Sequence, residues 1–376
     1  MNSIFLSGCV QPHSSEKRIK RGTISQIEGR FAKTFREEWT EDREDDLLPK
    51  NIKTEYLKEY PKSLLSRNDS PDIPYDLSLN PYRGCEHGCI YCYARPNHAY
   101  VDLSPGIDFE SKIFIKQNTK EVFVEDLKKK FKSGNYDPIV FGSVTDSYQP
   151  VERKTENTRK LLETSFKFKQ ATEIITKSSL ITRDIDILSE MAKLNLIRVC
   201  FSVTTLDSVL WSKLEPRAPS PNKRMEAIEK LTQAGIPVIL MFAPVIPFLN
   251  DHEMESIVKE GKKRGISQAV MILLRLPYEL SDLFSDWLEE HFPLKKDKIL
   301  GLLKDTREGK LYKSGFHQRM TGTGNYADLL RARFKLVKKQ MSLDLKPAEL
   351  NTKLFHIPLE YQRKQSKGEE FLPGLF

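Results

Sequence analysis

The sequence predicts an α/β fold: a partial (βα)6 TIM-type barrel with a polar N-terminal extension and a helical, basic C-terminal region. Three observations carry that prediction. Short β-branched apolar runs recur along the chain, amphipathic segments with readable ends lie between them, and turn residues mark the joins. The apolar runs are DLSL at 76–79, PIVFGS at 138–143, EIIT at 173–176, LIRVCFSV at 196–203, PVILMF at 237–242 and AVMILL at 269–274. Their nearly continuous apolar character is what parallel strands buried on both faces require.

Helices are predicted between the runs. TENTRKLLETSFKF (155–168) and RDIDILSEMAKL (183–194) each carry an apolar stripe. PNKRMEAIEKLTQAG (221–235) has proline in its first turn and ends on Gly235. NDHEMESIVKEGKKRG (250–265) opens on Asn250 as an N-cap and stops at Gly265. Strand–helix–strand repeats join parallel strands by right-handed crossovers, and ligands in such folds gather at the C-terminal strand ends. Residues 71–277 form the predicted barrel. Residues 1–70 are a polar extension draped over it, and 278–376 are a helical basic region interrupted by SGF (314–316) and TGTGN (321–325).

The chain has 376 residues, 39% hydrophobic and 30% charged, the profile of a soluble globular protein. A net charge of +8 favours an anionic partner. No run reaches the apolar length of a membrane span. LSGC (6–9) looks like a lipoprotein box, but MNSIF before it lacks the basic start and the apolar stretch of a secretory signal, so Cys9 reads as an idle thiol. Five cysteines, three of them crowded together, fit a reducing cytoplasm rather than a disulfide framework.

The crowded three lie in RGCEHGCIYCYARP (83–96), spaced C-x3-C-x2-C. Three thiolates on one tight loop can take three positions on a zinc ion, with His87 or His98 as the fourth ligand. They can equally hold three irons of a cluster. Clusters used only for electron transfer are normally held by four cysteines. Cys9 and Cys200 are remote, so three thiols predict a [4Fe–4S] cluster with one iron open. S-adenosylmethionine offers an amino group and a carboxylate to chelate that iron. An electron from the cluster then cleaves the sulfonium and releases a 5′-deoxyadenosyl radical, the cofactor carrying the hard chemistry.

Cys85, Cys89, Tyr91 and Cys92 match C-x3-C-x-aromatic-C, and on that motif the chain resembles the radical S-adenosylmethionine superfamily. NDSPDIPYDLSLNPYRGCEHGCIYCYARPNHAY, TDSYQPVER, ITKSSLITRD, LEPRAPSPNKR, APVIPFLND, LRLP and RMTGTGNYA, together spanning about 68 to 335, resemble its DNA-repair-photolyase-like branch, related to spore photoproduct lyase. The resemblance implies a cofactor site containing Tyr91. Gly142, Ser143, Thr145 and Asp146 in FGSVTDSYQ would meet the methionine amino group, in a form that departs from the common Gly-Gly-Glu. Lys177 in ITKS would pair the methionine carboxylate, Ser202 or Thr204 in SVTT the ribose, and the backbone near Ile246 in APVIPF the adenine. Arg275 in LRLP would bind a phosphate or carboxylate. Strand alternation puts Cys200, Ser202 and Thr204 on one face.

Spore photoproduct lyase looks to depend on a cysteine hydrogen donor between the cluster motif and the middle strands. This chain has no thiol between Cys92 and Cys200, which leaves Tyr148 and Cys200 as candidate donors and implies radical chemistry on another nucleic-acid or small-molecule substrate. The implied partners are S-adenosylmethionine, an electron donor such as flavodoxin or ferredoxin, and nucleic acid, with Phe316, His317 and Tyr326 set among C-terminal basic residues. The competing class is a non-catalytic zinc or iron–sulfur module that binds nucleic acid, which would form no 5′-deoxyadenosine.

Overall fold

The six apolar runs pair into one sheet, and a short antiparallel strand at its edge brings it to seven strands. The computed structural model describes residues 21–23, 25, 27–31, 52–316, 318–345 and 348–362. Cys9 with the LSGC box, His317 and much of the polar extension lie outside the described residues. The central strands are β3 (Leu77–Leu79), β6 (Ile139–Phe141), β7 (Thr172–Thr176), β8 (Ile197–Ser202), β9 (Val238–Val245) and β10 (Gln268–Leu273). Each pairs in parallel with the next, so the sheet grows along one edge in chain order. At the other edge β2 (Leu65–Arg67) runs antiparallel to β3. This is an α/β fold with a mostly parallel sheet, consistent with a partial barrel.

One face of the sheet is dry. Phe141, Ile174, Val199, Phe201, Leu240 and Phe242 are fully buried there. They pack in one core with α2 (Thr119–Lys132), α4 (Asn157–Lys167), α5 (Ile185–Lys193), α7 (Pro221–Gln233) and α8 (Met254–Lys263). The opposite face carries Ser78, Val140, Glu173, Arg198, Cys200 and Ser202 in register across β3 to β8. A face that bears a carboxylate, a guanidinium, a thiol and a hydroxyl is not built to accept a helix layer. At the N-terminal strand ends it is closed by the C-terminal segment. Arg198 donates to the Ala348 carbonyl at 3.3 Å, Asn195 to that of Glu349 at 2.6 Å, and Gln268 to that of Leu345.

The structure departs from the sequence reading at several joins. The cysteine loop does not leave the first central strand directly: β4 (Tyr82–Arg83) intervenes and pairs with β5 (Lys112–Lys116), which also pairs with β1 (Glu55–Glu59) in a separate three-stranded sheet. Helix α1 (Ile107–Ser111) leads into β5. The helix predicted over 155–168 is broken at Glu156, whose φ of 52° separates the turn α3 (Glu152–Thr155) from α4. Buried Glu152 spans that break, accepting from Thr158 N at 3.0 Å and from the Tyr82 hydroxyl. Asn250 is not a side-chain cap. Its amide accepts from Ile246 N at 2.6 Å and donates to the Thr204 and Pro244 carbonyls, tying together the loops after β8 and β9.

Helix α6 (Ser208–Leu214) follows β8, and α9 (Leu280–His291), α10 (Pro293–Asp305) and α11 (Gly324–Gln340) follow β10. Trp287, Leu288, Ile299 and Leu303 of α9 and α10 share a second apolar cluster with Ile90 and Tyr91, so this helical pair backs the cysteine loop. Helix α11 returns to the main core through Leu330, Phe334 and Val337. Among the described residues no helix is long and apolar enough to cross a membrane.

Candidate active site

The cysteine loop is a backbone turn locked from behind. Its amides close locally, Cys92 N on Cys89 O at 3.3 Å and Arg95 N on Cys92 O at 3.1 Å. The Arg95 guanidinium holds the loop from beneath, donating to Cys89 O at 2.9 Å, Gly106 O at 2.8 Å and the Glu110 carboxylate at 2.8 Å. Arg95 and Glu110 are both 0% exposed, and Glu110 also accepts from the amides of Gly22 and Thr23. A buried ion pair persists only with its remaining donors and acceptors filled, and here they are. Gly88 needs its lack of side chain: φ is +67°, and a Cβ would lie 2.4 Å from Glu110 Oε2.

Cys85 and Cys89 are buried, and Cys92 is half-buried. Burial pushes the Cys85 thiol well up, with Asp146, Cys89 and Cys92 adding repulsion. Cys89 is raised to about 11 by burial, although the Lys177 ammonium pulls the other way. The three thiols lie near enough to repel one another as thiolates. Three free thiols crowded on one loop are a donor set that fits an iron–sulfur cluster. His98 does not complete a zinc site: its Nε2 meets Lys112 O at 3.1 Å, its ring packs against Phe109, and burial lowers its pKa to about 4. His87 turns Nδ1 toward Asp146 Oδ2, 3.3 Å away.

The strand ends beside this loop bring together most of the residues singled out in the sequence. Asp146 accepts from Thr176 Oγ1 at 2.7 Å, Lys177 N at 3.0 Å and Tyr148 N at 2.9 Å. Burial opposes its charge, but His87 and Lys177 hold its carboxyl well below the usual range. Gly142, at φ +83°, is where β6 ends; a Cβ there would lie 2.5 Å from Ile175 O. Ser143 accepts from Asn80 at 3.2 Å, and its carbonyl takes the Tyr93 hydroxyl. Thr145 Oγ1 donates to Gly84 O at 2.6 Å, which ties this loop to the residue before Cys85. Ser202 donates to Ala243 O at 3.1 Å, and Thr204 Oγ1 lies 3.2 Å from the same carbonyl.

Tyr91, Thr204 and Lys177 converge on Glu215, which sequence reasoning missed. Glu215 is 0% exposed and accepts from the Tyr91 hydroxyl, from Thr204 at 3.1 Å and from Arg224 Nη2 at 2.5 Å, with Lys177 Nζ 4.0 Å away. Burial acts against its charge, and Arg224 and Lys177 overcome that penalty. Burial likewise disfavours the Lys177 ammonium, but Cys89 and Glu215 outweigh it and raise its pKa. The signal was present in LEPRAPSPNKR, which contains both Glu215 and Arg224. Nothing in the spacing said that they meet.

Four other candidates have different surroundings. Tyr148 is fully buried in the sheet–helix core, and its hydroxyl donates to Asp184 at 3.1 Å. Cys200 lies on the polar sheet face with its thiol 3.3 Å from Glu173. Ile246 is fully buried beside Asn250. Arg275 lies over the Tyr93 ring, 4.5 Å from its centroid.

Comparisons with known proteins bear on the family and the fold. The family model of the Radical SAM superfamily matches residues 79–261. An uncharacterized protein of Mycobacterium bovis is 27% identical over 292 residues, covering 77% of this chain and 82% of that protein. One of Methanocaldococcus jannaschii is 31% identical over 212 residues, covering 56% and 75%. A solved structure of spore photoproduct lyase complexed with dinucleoside spore photoproduct superposes with a TM-score of 0.56 at 17% identity, covering 76% of this chain and 79% of that one. Another solved structure of that lyase holds AdoMet together with the dinucleoside.

Proposed function

The chain belongs to the radical SAM superfamily, and from that premise we propose that it cleaves S-adenosylmethionine reductively at a [4Fe–4S] cluster held by Cys85, Cys89 and Cys92, and that its substrate is a nucleic acid. The observation that carries the reading is the meeting of three free thiols on one locked loop with the Lys177 ammonium, which lies 4.0 Å from buried Glu215 and 5.6 Å from the Tyr91 ring centroid. S-adenosylmethionine bound to the open iron would supply the chemistry: one-electron cleavage of its sulfonium and hydrogen abstraction from the substrate.

The protein's own residues do the rest. Arg95 and Glu110 keep the loop rigid. Lys177 would neutralise the methionine carboxylate, and the loop from Gly142 to Asp146 would receive the amino group. Tyr91, Ser202 and Thr204 would hold the ribose, and the backbone at Ile246 the adenine. Trp287 and its neighbours exclude water behind Tyr91. The electron would come from a donor of the flavodoxin or ferredoxin class. The likeness in fold to spore photoproduct lyase supports a nucleic-acid substrate, whereas the lack of a thiol between Cys92 and Cys200 argues against that lyase's own reaction.

The test is direct. Cluster-reconstituted protein reduced with dithionite should convert S-adenosylmethionine to 5′-deoxyadenosine, and Cys89→Ala should lose both the brown absorbance and the product. An intact cluster that yields no 5′-deoxyadenosine, with or without added DNA or RNA, refutes the reading.

A further inference from the structure

Just past β10 two arginines meet the same stretch of chain. Arg275 follows Leu274 and sets its guanidinium over the Tyr93 ring, 4.5 Å from the centroid. Arg307 comes from beyond α10, with Nη2 donating to Leu274 O at 2.6 Å and Nη1 to Arg319 O at 3.1 Å. Arg307 is 2% exposed, and its buried Nε has no hydrogen-bond partner. Among the described residues no carboxylate lies within ion-pair distance of either group. Arg319 shows the contrast: Asp72 grips it at 2.5 and 2.7 Å.

Two adjacent cations, one of them buried, are an unfavourable arrangement unless something anionic comes between them and solvent. Burial lowers Arg307 to about 10, and the Arg275 charge acts in the same direction. The position matters as much as the charge, because Tyr93 directly follows Cys92 and 42% of it is exposed. An anion on Arg275 would therefore lie beside the reaction centre, with a ring available to stack on whatever the anion is attached to.

We propose that Arg275, with Arg307 behind it, is a phosphate-binding site for the substrate, and that the substrate carries a planar group next to that phosphate, as a nucleotide unit does. A planar fork with five donors suits a phosphate oxygen pair, and a second cation behind it suits the higher charge of phosphate over carboxylate. The site rests on the radical reading only for what happens next to it; binding itself needs no cluster turnover.

The experiment is fluorescence anisotropy of a labelled single-stranded oligodeoxynucleotide with the full-length protein, without reductant. Unlabelled thymidine monophosphate and inorganic phosphate serve as competitors. The expected result is that Arg275→Gln weakens binding about 10-fold and reduces the salt slope by about one phosphate contact. Lys230→Gln, on the exposed face of α7, should change neither. Arg275→Lys should fall between, since it keeps the charge and loses the fork. Competition by the free nucleotide at concentrations matching its phosphate content assigns the site to a small phosphorylated substrate; competition only by strand assigns it to a phosphodiester. Equal affinity of wild type and Arg275→Gln, with unfolding midpoints unchanged, overturns the proposal, as does a wild-type protein that binds none of the three probes. Loss of binding in Arg275→Gln alongside absent 5′-deoxyadenosine would instead count against the radical reading alone.

Discussion

Glu215 has no contact with water and depends on its neighbours for its charge. Its replacement by Gln would keep the shape but leave Arg224 a buried, unpaired cation. Removing one partner of a buried pair costs about 3–5 kcal/mol, so Glu215→Gln should melt several degrees lower in a thermal scan. Lys177→Met is a different case, because its ammonium is 4.0 Å from Glu215 and leaves no orphan behind. It should remain folded and bind S-adenosylmethionine about 10-fold or more weakly, read by calorimetric titration of the reconstituted protein. His98 makes a pH prediction. Burial lowers its folded pKa to about 4, against an unfolded value near 6.5. A histidine kept neutral by folding contributes stability above its unfolded pKa and loses it as the unfolded chain gains the proton. Stability should therefore fall between about pH 6.5 and 4, by up to about 3 kcal/mol from this group, and His98→Gln should flatten that part of a denaturant-midpoint profile.

At the level of elements, the cysteine loop is held by segments far from it in sequence. Gly22 lies so close beneath it that a Cβ would lie 1.4 Å from Gly88 O, and Arg21 reaches Glu110 O at 2.5 Å. Gly22→Ala should displace this segment while sparing the main core. The expected outcome is an unchanged far-ultraviolet spectrum and a cluster absorbance that decays several-fold faster in air; equal decay rates would show that the contact does not protect the loop. The central strands, both ends of α7 and the C-terminal end of α8 were legible in sequence, since apolar runs, Pro221, Gly235 and Gly265 are local signals. Strands β1 and β5 were not. EYLKE and KIFIK are half-exposed and take their conformation from pairing with each other. The break at Glu156 was equally hidden, because the buried carboxylate that spans it accepts from donors as distant in sequence as Tyr82.

Across the whole molecule, one sheet face is filled by helices and the other is kept polar and closed at its base by the C-terminal segment. Phe355 of that segment enters the main core, and His356 N bonds Phe168 O at 3.0 Å. Ending the chain after Ser342 should lower the melting midpoint by about 5 °C or more, while cluster loading by iron analysis stays near wild type, because the cysteine loop is anchored at the opposite strand ends. A truncated protein that melts as wild type would show the segment to be ornamental to the fold.

The sequence by itself determined the parallel strands and the three-thiol loop, because both depend on neighbours a few residues apart: β-branched runs choose extended backbone, and C-x3-C-x2-C places donors on one turn. Tertiary structure alone decided which charges meet. Glu215 finds Arg224, Tyr91 and Lys177, and Arg307 finds the Leu274 carbonyl next to Arg275, because those distances are set by how strand ends and loops close in space. Coulomb energy follows separation and burial, and sequence spacing records neither.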